Sequence, residues 1–338
     1  MIDAARLMRI VRAALAAAVL ACGLPLHAQT VSLRIGCTNP AGSVVTDPID
    51  RFVTAVAQKS NGKVVARNYY QALGIEQRLA QSVMSGTVDI GTMTGSNAAT
   101  FTNAFLAFDL PFLFKSYDSM LAALDGPIGR KQVARFEKET GLKVLAIFGF
   151  AAGRDVQTRK TPLKVPADIK GLKIRTTSSP IELATYRAWG ANPTPVDFAQ
   201  TLTALQQGTI DGLNLDTPAV LATKMYEAVK YNLHLGYQMS MLMFFMNAQR
   251  FDALAPDQQQ AIVDAAKEAE VWNRKDSVER LAAQEKELAG LGVIAYTPSP
   301  AEWAQWSAVR DEVWSKVEEA EKGKLDLTLA KQLSEAQR

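Results

Sequence analysis

Two arginines stand just beyond apolar segments that are typical of buried strands. Arg175 follows GLKI at 171–174, and Arg154 follows AIFGFAAG at 146–153. In open α/β sheets, ligands bind in the crevice beyond the carboxyl ends of the strands. A guanidinium there offers a planar fork of donors that matches a carboxylate. The two arginines therefore predict a site for an organic anion, although most arginines at strand ends are solvated or pair with a nearby acidic residue.

The residues after Arg175 are typical of a helix start. Ser179 is a good N-cap residue, and Pro180 suits the first turn of a helix. The partial positive charge at the N-terminal end of that helix would favour the same anion. The stretch 171–180 thus contains the parts of an anion receptor.

The elements around these arginines alternate between strands and helices. SLRIGC at 32–37 and KVVARNYY at 63–70 are typical of strands, and a helical segment with an apolar face lies between them. A second helical pattern at 77–84 leads into TVDIGTM, which is again typical of a strand. This order predicts an α/β fold with helices on both faces of a sheet.

The chain is long enough for two such units. Its 338 residues exceed one ordinary core, and SGTVDIGTMT at 85–94 is similar to QGTIDGLNLD at 207–216. We therefore predict two α/β lobes. We assign 29–150 with about 240–275 to lobe I, and 151–239 with about 276–335 to lobe II.

A long helix is predicted near the C-terminus. The segment from Pro256 to Ala289 has no internal Gly or Pro, and its apolar residues recur near the helical period. A helix of this length measures roughly 50 Å and could lie across both lobes. The alternative is a pair of helices with a break near Asn273.

The N-terminal segment 1–28 is typical of a secretory signal peptide. Three arginines precede a short apolar run, and Ala28 is a small residue at the expected cleavage point. Lipidation at Cys22 is an alternative, but Leu20 is bulky where such a signal usually has a small residue. We expect a periplasmic protein without membrane insertion. Cys37 then stands alone, so no internal disulfide is predicted.

The residue inventory disfavours several classes of function. The net charge of +3 is too small to indicate nucleic-acid binding. Beyond the signal segment His234 is the one histidine, and the common nucleophile, phosphate and dinucleotide motifs are absent from the sequence. We therefore predict no catalytic residue, metal site or cofactor. A pair of carboxylates cannot be located from the sequence, which leaves an exported enzyme as a minor alternative.

Several segments, in order along the chain, resemble the solute receptors of TRAP (tripartite ATP-independent periplasmic) transporters, the C4-dicarboxylate-receptor-like family. They are NGKVV, ALGIEQRLAQSVMSGTVDIGTM, FDLPFLF, GLKVLAIFGFAAGR, PADIKGLKIRT, GANPTPVDFAQTLTALQQGTIDGLN and FDALAPDQQQAI. The combination of DLPFLF, GLKIR and ALQQGTIDG at family spacing is specific.

The resemblance implies a two-lobe periplasmic binding protein with its ligand cleft between the lobes and a long hinge-spanning C-terminal helix. Such a receptor closes around a small organic acid and hands it to the membrane permease subunits of a TRAP transporter. The family's carboxylate-clamping arginine falls on Arg175, and a second, less uniform arginine falls on Arg154. Phe198 occupies a position that often packs against the ligand.

Some residues depart from the family pattern. Many relatives have D-G-x-E-N where this chain has Asp211 to Asp216, so the family's asparagine carries over to Asn214 with a shift of one position. Asp216 is either a hydrogen-bond acceptor for the ligand or a helix N-cap. Leu215 and Tyr237 replace polar residues and suggest a less polar or larger acid. The predicted ligand contacts are Arg175, Arg154, Asn214, Phe198, Asp216, Tyr237, Glu76, Asn39 and Ser96.

A receptor for an ABC-type importer is the main alternative within the same class of binding proteins. The long uninterrupted helix and the DLPFLF segment argue against it. The sequence leaves open which acid binds, whether the receptor is a dimer, and whether a metal ion joins the ligand.

Overall fold

The computed structural model describes residues 30–71, 74–321 and 323–337. The predicted signal peptide at 1–28 and the alternative lipidation site lie outside the described residues. Within the described part of the chain, no helix has both the length and the apolar character needed to cross a membrane.

The described residues form eleven strands and thirteen α-helices. The strands are β1 (Val31–Cys37), β2 (Val64–Tyr70), β3 (Ile90–Thr94), β4 (Leu142–Gly153), β5 (Val156–Thr158), β6 (Lys173–Thr176), β7 (Asn192–Pro195), β8 (Gly212–Leu213), β9 (Tyr231–Leu233), β10 (Met239–Asn247) and β11 (Ile294–Tyr296). The helices are α1 (Thr46–Lys59), α2 (Glu76–Met84), α3 (Gly95–Ala98), α4 (Tyr117–Asp125), α5 (Pro127–Thr140), α6 (Pro180–Ala188), α7 (Thr201–Gln207), α8 (Thr217–Ala222), α9 (Ala248–Asp252), α10 (Pro256–Gly290), α11 (Pro300–Ser307), α12 (Arg310–Ala320) and α13 (Leu327–Glu335).

The strands form two separate sheets. The first has the order β2-β1-β3-β10-β4, in which β1 runs parallel to β2 and β3 while β10 runs antiparallel to β3 and β4. The second has the order β11-β9-β5-β8-β6-β7, in which β6 runs parallel to β7 and β8. The predicted α/β class with two units is confirmed.

Each sheet is covered on both faces. In β10, Phe244 packs into the core on one face with Leu33, and the next residue, Phe245, packs into the core on the other face with Phe136. This arrangement explains why the MLMFFM segment is a continuous apolar run instead of an alternating one. In the second sheet, Ile174 and Leu213 likewise belong to different cores.

The chain passes between the two sheets three times: after β4, before β10, and from β10 to β11 through α9 and α10. The first two crossings are neighbours. The backbone N–H of Arg154 donates to Gln238 O at 2.7 Å, and Tyr237 N–H donates to Arg154 O at 3.1 Å. A Cβ at Gly153 would lie 2.7 Å from Gly236 Cα, so only glycine fits at this approach. These two neighbouring crossings form a paired connection between the lobes, and Arg154 is part of it.

Helix α10 is a single uninterrupted helix of 35 residues, which excludes the alternative break near Asn273. It packs against α1 and β4 of the first unit and against α8 of the second. Asn273 lies inside it and is buried, although asparagine is a weak helix former. Its side chain accepts from Gly149 N–H at 2.9 Å and donates to Val44 O at 3.1 Å, so tertiary hydrogen bonds account for its position.

The C-terminal helices contact both units. Helix α12 packs against α6 of the second unit, and α13 packs against the short 3₁₀ helix Leu106–Asp109 of the first. The sequence-based lobe boundaries, which place 276–335 in lobe II, remain a proposal.

We expect Asn273→Ala to lower the free energy of unfolding by about 2 kcal/mol, since each buried partner left unpaired costs about 1–3 kcal/mol and the better helix propensity of alanine offsets part of this. Urea denaturation measures the change. Lys275→Ala, in the same helix at a side chain that is 75% exposed, is the control and should change stability by less than about 0.5 kcal/mol. Equal stability of the two variants would contradict the stabilising role of the Asn273 hydrogen bonds.

Candidate ligand-binding site between the lobes

Arg175 lies near the carboxyl end of β6, between two parallel neighbours. Its register partners are Thr194 in β7 and Leu213 in β8. The side chain is 4% exposed, and its Nε donates to Val196 O at 3.0 Å. The guanidinium carbon lies 5.8 Å from the centroid of the Phe198 ring. The strand, the Val196 carbonyl and the aromatic ring together fix the direction of the guanidinium.

No carboxylate of the described residues lies within ion-pair distance of Arg175. Burial therefore lowers the pKa of Arg175 to about 10, and the more distant Glu182 only partly opposes this. A buried cation without a counter-ion is costly, and a ligand carboxylate would remove that cost.

Arg154 has a different environment. Its Nη1 lies 3.3 Å from Glu182 Oε1, its Nε donates to Ser240 Oγ at 2.8 Å, and Nη1 also donates to Asn214 O at 3.2 Å. Burial alone would lower the pKa of Arg154, but Glu182, with smaller contributions from Tyr237, Asp109 and Asp216, outweighs burial and the pKa is raised. The charge of Arg154 is therefore paired within the protein.

Glu182 is a site residue that the sequence did not predict. It is fully buried in the first turn of α6, and its Oε2 accepts from Thr177 N–H at 2.8 Å and from Asn214 Nδ2 at 2.9 Å. Burial opposes its ionisation, yet Arg154 and these donors lower the pKa of Glu182. An acidic residue in a first helical turn is common on protein surfaces, so nothing in the sequence marked this one as buried.

Ser179 begins α6 as predicted, but its side chain does not cap the helix. Its hydroxyl instead donates to Asp109 Oδ2 at 2.7 Å. Asp109, from the DLPFLF segment of the first unit, also accepts from Ser96 and from Gln238. The capping expectation failed because a buried carboxylate from the other unit competes for the hydroxyl.

A cavity of about 240 Å³ lies between the two units, next to Arg175. Glu76 and Asn97 border it from the first unit, and Thr177 and Phe198 border it from the second. A smaller chamber of about 60 Å³ adjoins it and shares these five residues. The smaller chamber is further bordered by Arg154, Asn39, Asp216 and Leu215.

Glu76 faces Arg175 from the other side of the cavity. Its Oε2 accepts from Thr94 N–H at 2.9 Å, Thr94 Oγ1 at 2.8 Å and Asn97 Nδ2 at 2.7 Å. Its Oε1 has no hydrogen-bond partner among the described residues. The cavity therefore presents a cation at one wall and a hydrogen-bond acceptor at the opposite wall.

Other predicted contacts lie at the edge of the site or behind its wall. Asp216 borders the smaller chamber. It also caps α8, because its side chain accepts a hydrogen bond from Ala219 N–H at 2.9 Å. Burial raises the pKa of Asp216 to about 6. Asn214 and Tyr237 are almost completely buried and hydrogen-bonded to each other at 3.1 Å. They border neither chamber. Tyr237 was expected from the sequence to favour a less polar ligand, but its side chain contributes no apolar surface to the cavity. Ser96 likewise borders neither chamber and lies beside Asp109.

His234 lies away from the cavity, and the described residues contain no metal-binding cluster. Among residues 30–71, 74–321 and 323–337, no group of three or more His, Cys, Asp or Glu side chains is placed to hold a metal ion. His234 pairs with Asp155 at 2.8 Å, and this hydrogen bond raises the pKa of His234. His234 belongs to the connection between the units and borders neither chamber of the cavity.

The described residues form two α/β lobes with a paired connection and an interlobe cavity. The cavity holds a buried arginine that has no carboxylate partner among these residues. These features define a solute-binding protein. Residues 35–321 match the family described as DctP, bacterial extracellular solute-binding protein, family 7. The chain belongs to this family, whose structurally similar members are TRAP periplasmic solute-binding proteins.

The chain is similar to several characterised proteins. It is 34% identical over 245 residues to the 2,3-diketo-L-gulonate-binding periplasmic protein YiaO of Escherichia coli, covering 72% of this chain and 74% of that protein. The sugar acid binding protein DctPAm of Advenella mimigardefordensis, in complex with galactonate, has a TM-score of 0.85 at 25% identity, covering 91% and 98%. A TRAP solute-binding protein from Bordetella bronchispeptica, with density assigned to pantoate, has a TM-score of 0.84 at 25% identity, covering 90% and 98%.

The two arginines generate opposite predictions for the ligand-free protein. Arg154→Met should lower the free energy of unfolding by about 3–5 kcal/mol, because it leaves Glu182 buried without a counter-ion. Arg175→Met should leave stability unchanged or raise it, because it removes a buried cation that has no carboxylate partner among the described residues. Urea denaturation of both ligand-free variants tests this contrast, and an equal loss in both would show that Arg175 is already paired.

Proposed function

We propose that the chain is an extracytoplasmic receptor that binds a hydroxylated organic acid of the sugar-acid class and delivers it to the permease subunits of a TRAP transporter. Arg175 holds the ligand carboxylate, and Phe198 packs against the ligand beside it. The buried guanidinium of Arg175, which has no carboxylate partner among the described residues, carries this proposal.

The opposite wall supports the class of acid. Glu76 and Asn97 present polar groups to the cavity, and Oε1 of Glu76, which has no hydrogen-bond partner among the described residues, is an acceptor for a ligand hydroxyl. A purely aliphatic acid would leave Oε1 of Glu76 without a donor. The ligands of the three similar proteins each combine a carboxylate with hydroxyl groups, in agreement with such a cavity.

Family membership disfavours the two alternatives. The family and its structural neighbours are solute receptors, which argues against an exported enzyme, and TRAP receptors do not serve ABC-type importers. We further propose that the segment 1–28 directs export, which places the mature receptor in the periplasm.

A thermal-shift screen against hydroxy acids, followed by calorimetry, identifies the ligand, since a compound that binds the native state raises the melting temperature. For the acid found, Arg175→Met should lower affinity by about 30-fold to several thousand-fold, because a buried charge-assisted contact is worth roughly 2–5 kcal/mol. Arg187→Met changes an exposed arginine of α6 and is the control. Unchanged affinity of Arg175→Met would exclude Arg175 as the anchor.

Ligand binding should also draw the lobes together, because the cavity walls come from both of them. Small-angle scattering should therefore show a smaller radius of gyration at saturating ligand than in the ligand-free protein. Arg175→Met at the same ligand concentration should show no change. A wild-type radius that is independent of ligand would contradict closure.

A further inference from the structure

Two arginines border the cavity, but their charges are not equally available. Arg175 has no carboxylate within ion-pair distance among the described residues, whereas Arg154 lies 3.3 Å from Glu182. Both are almost completely buried. Among the described residues that border the cavity, Arg175 is therefore the one cation without a carboxylate partner.

Glu182 is held in place by several independent contacts. The Thr177 N–H and the Asn214 side-chain amide both donate to its Oε2, and Arg154 lies against its Oε1. The Asn214 amide also donates to Tyr237, so the amide itself is fixed. The position of Glu182 at the N-terminal end of α6 favours its negative charge. Glu182 therefore compensates the charge of Arg154, and a ligand carboxylate that approached Arg154 would meet the negative charge of Glu182 beside it.

The remaining charged groups along the cavity are acidic. Glu76 and Asp197 border the larger chamber, and Glu76 and Asp216 border the smaller one. A second carboxylate on the ligand would lose its hydration and face these groups without a free cation. Neutral hydroxyl groups at the same positions would find acceptors instead.

We infer that Glu182, by neutralising Arg154, restricts this cavity to acids that carry a single carboxylate. The inference rests on the proposed function and adds a residue that determines specificity. Glu182 acts through Arg154 and has no direct contact with the cavity. Without its charge, Arg154 would offer a second cation at the smaller chamber, and acids with two carboxylates would be accepted.

The test compares acids that differ at one end only. The matched pairs are D-galactonate with galactarate, D-gluconate with D-glucarate, and D-erythronate with meso-tartrate, in which a terminal CH2OH becomes a carboxylate. Calorimetry at pH 7.5, where both carboxylates are ionised, gives the affinity ratio within each pair. For any pair whose monoacid binds, the wild-type receptor should bind the diacid at least about 100-fold more weakly.

Glu182→Gln keeps the shape of the side chain and removes its charge. In this variant the affinity for the monoacid divided by the affinity for the diacid should fall by at least about tenfold, because the diacid binds more tightly. The double variant Arg154→Gln/Glu182→Gln removes both partners of the ion pair and so avoids an uncompensated buried charge. It should return the ratio to that of the wild type, because no second cation is free.

The outcomes separate this inference from the proposed function. If the folded wild type binds none of the six acids or other hydroxy acids of the screen, the proposed function fails, and the inference with it. Equal binding of a monoacid and its diacid by the wild type overturns the inference alone. The inference is also overturned if Glu182→Gln has the same ratio of monoacid to diacid affinity as the wild type. It is overturned as well if the double variant still binds the diacid. A merely structural role for Glu182 would lower stability and leave the ratio unchanged.

Discussion

The buried guanidinium of Arg175 is the feature on which the binding site depends. Burial without a counter-ion lowers its pKa to about 10, and the ligand-free protein bears the corresponding cost in free energy. A carboxylate in the cavity removes this cost. The parallel pairing of β6 with β7 and β8 and the Val196 carbonyl hold the guanidinium in one direction, so the ligand meets a preorganised donor.

The second arginine connects the site to the junction of the lobes. The Arg154 backbone pairs with Gln238 and Tyr237 at the crossings, while its side chain pairs with Glu182 behind the cavity wall. Nearby, Asp109 of the first unit accepts hydrogen bonds from Ser179 of the second and from Gln238. The lobes are thus held together beside the crossings, and rotation about this side would open or close the cavity.

Some of this organisation was predictable because it follows from local patterns in the sequence. The strand and helix periods and the absence of Gly and Pro within 257–289 predicted an α/β fold and a long helix, and both are confirmed. The position of Arg175 at the end of an apolar strand predicted an anion contact. The described structure places that arginine at the interlobe cavity, in agreement with the hypothesis from sequence, although ligand contact itself stays a prediction.

The sequence by itself determined the strands and helices and the presence of a cationic group at a strand end. These features depend on periodicity and residue type within a few neighbouring positions. The tertiary structure alone decided which charges neutralise each other. Arg154 and Arg175 occupy similar contexts in the sequence, yet only Arg154 meets a buried carboxylate, seven residues beyond Arg175 in the chain. Ion pairing depends on distances of a few ångströms between segments far apart in sequence, and these distances are set by packing.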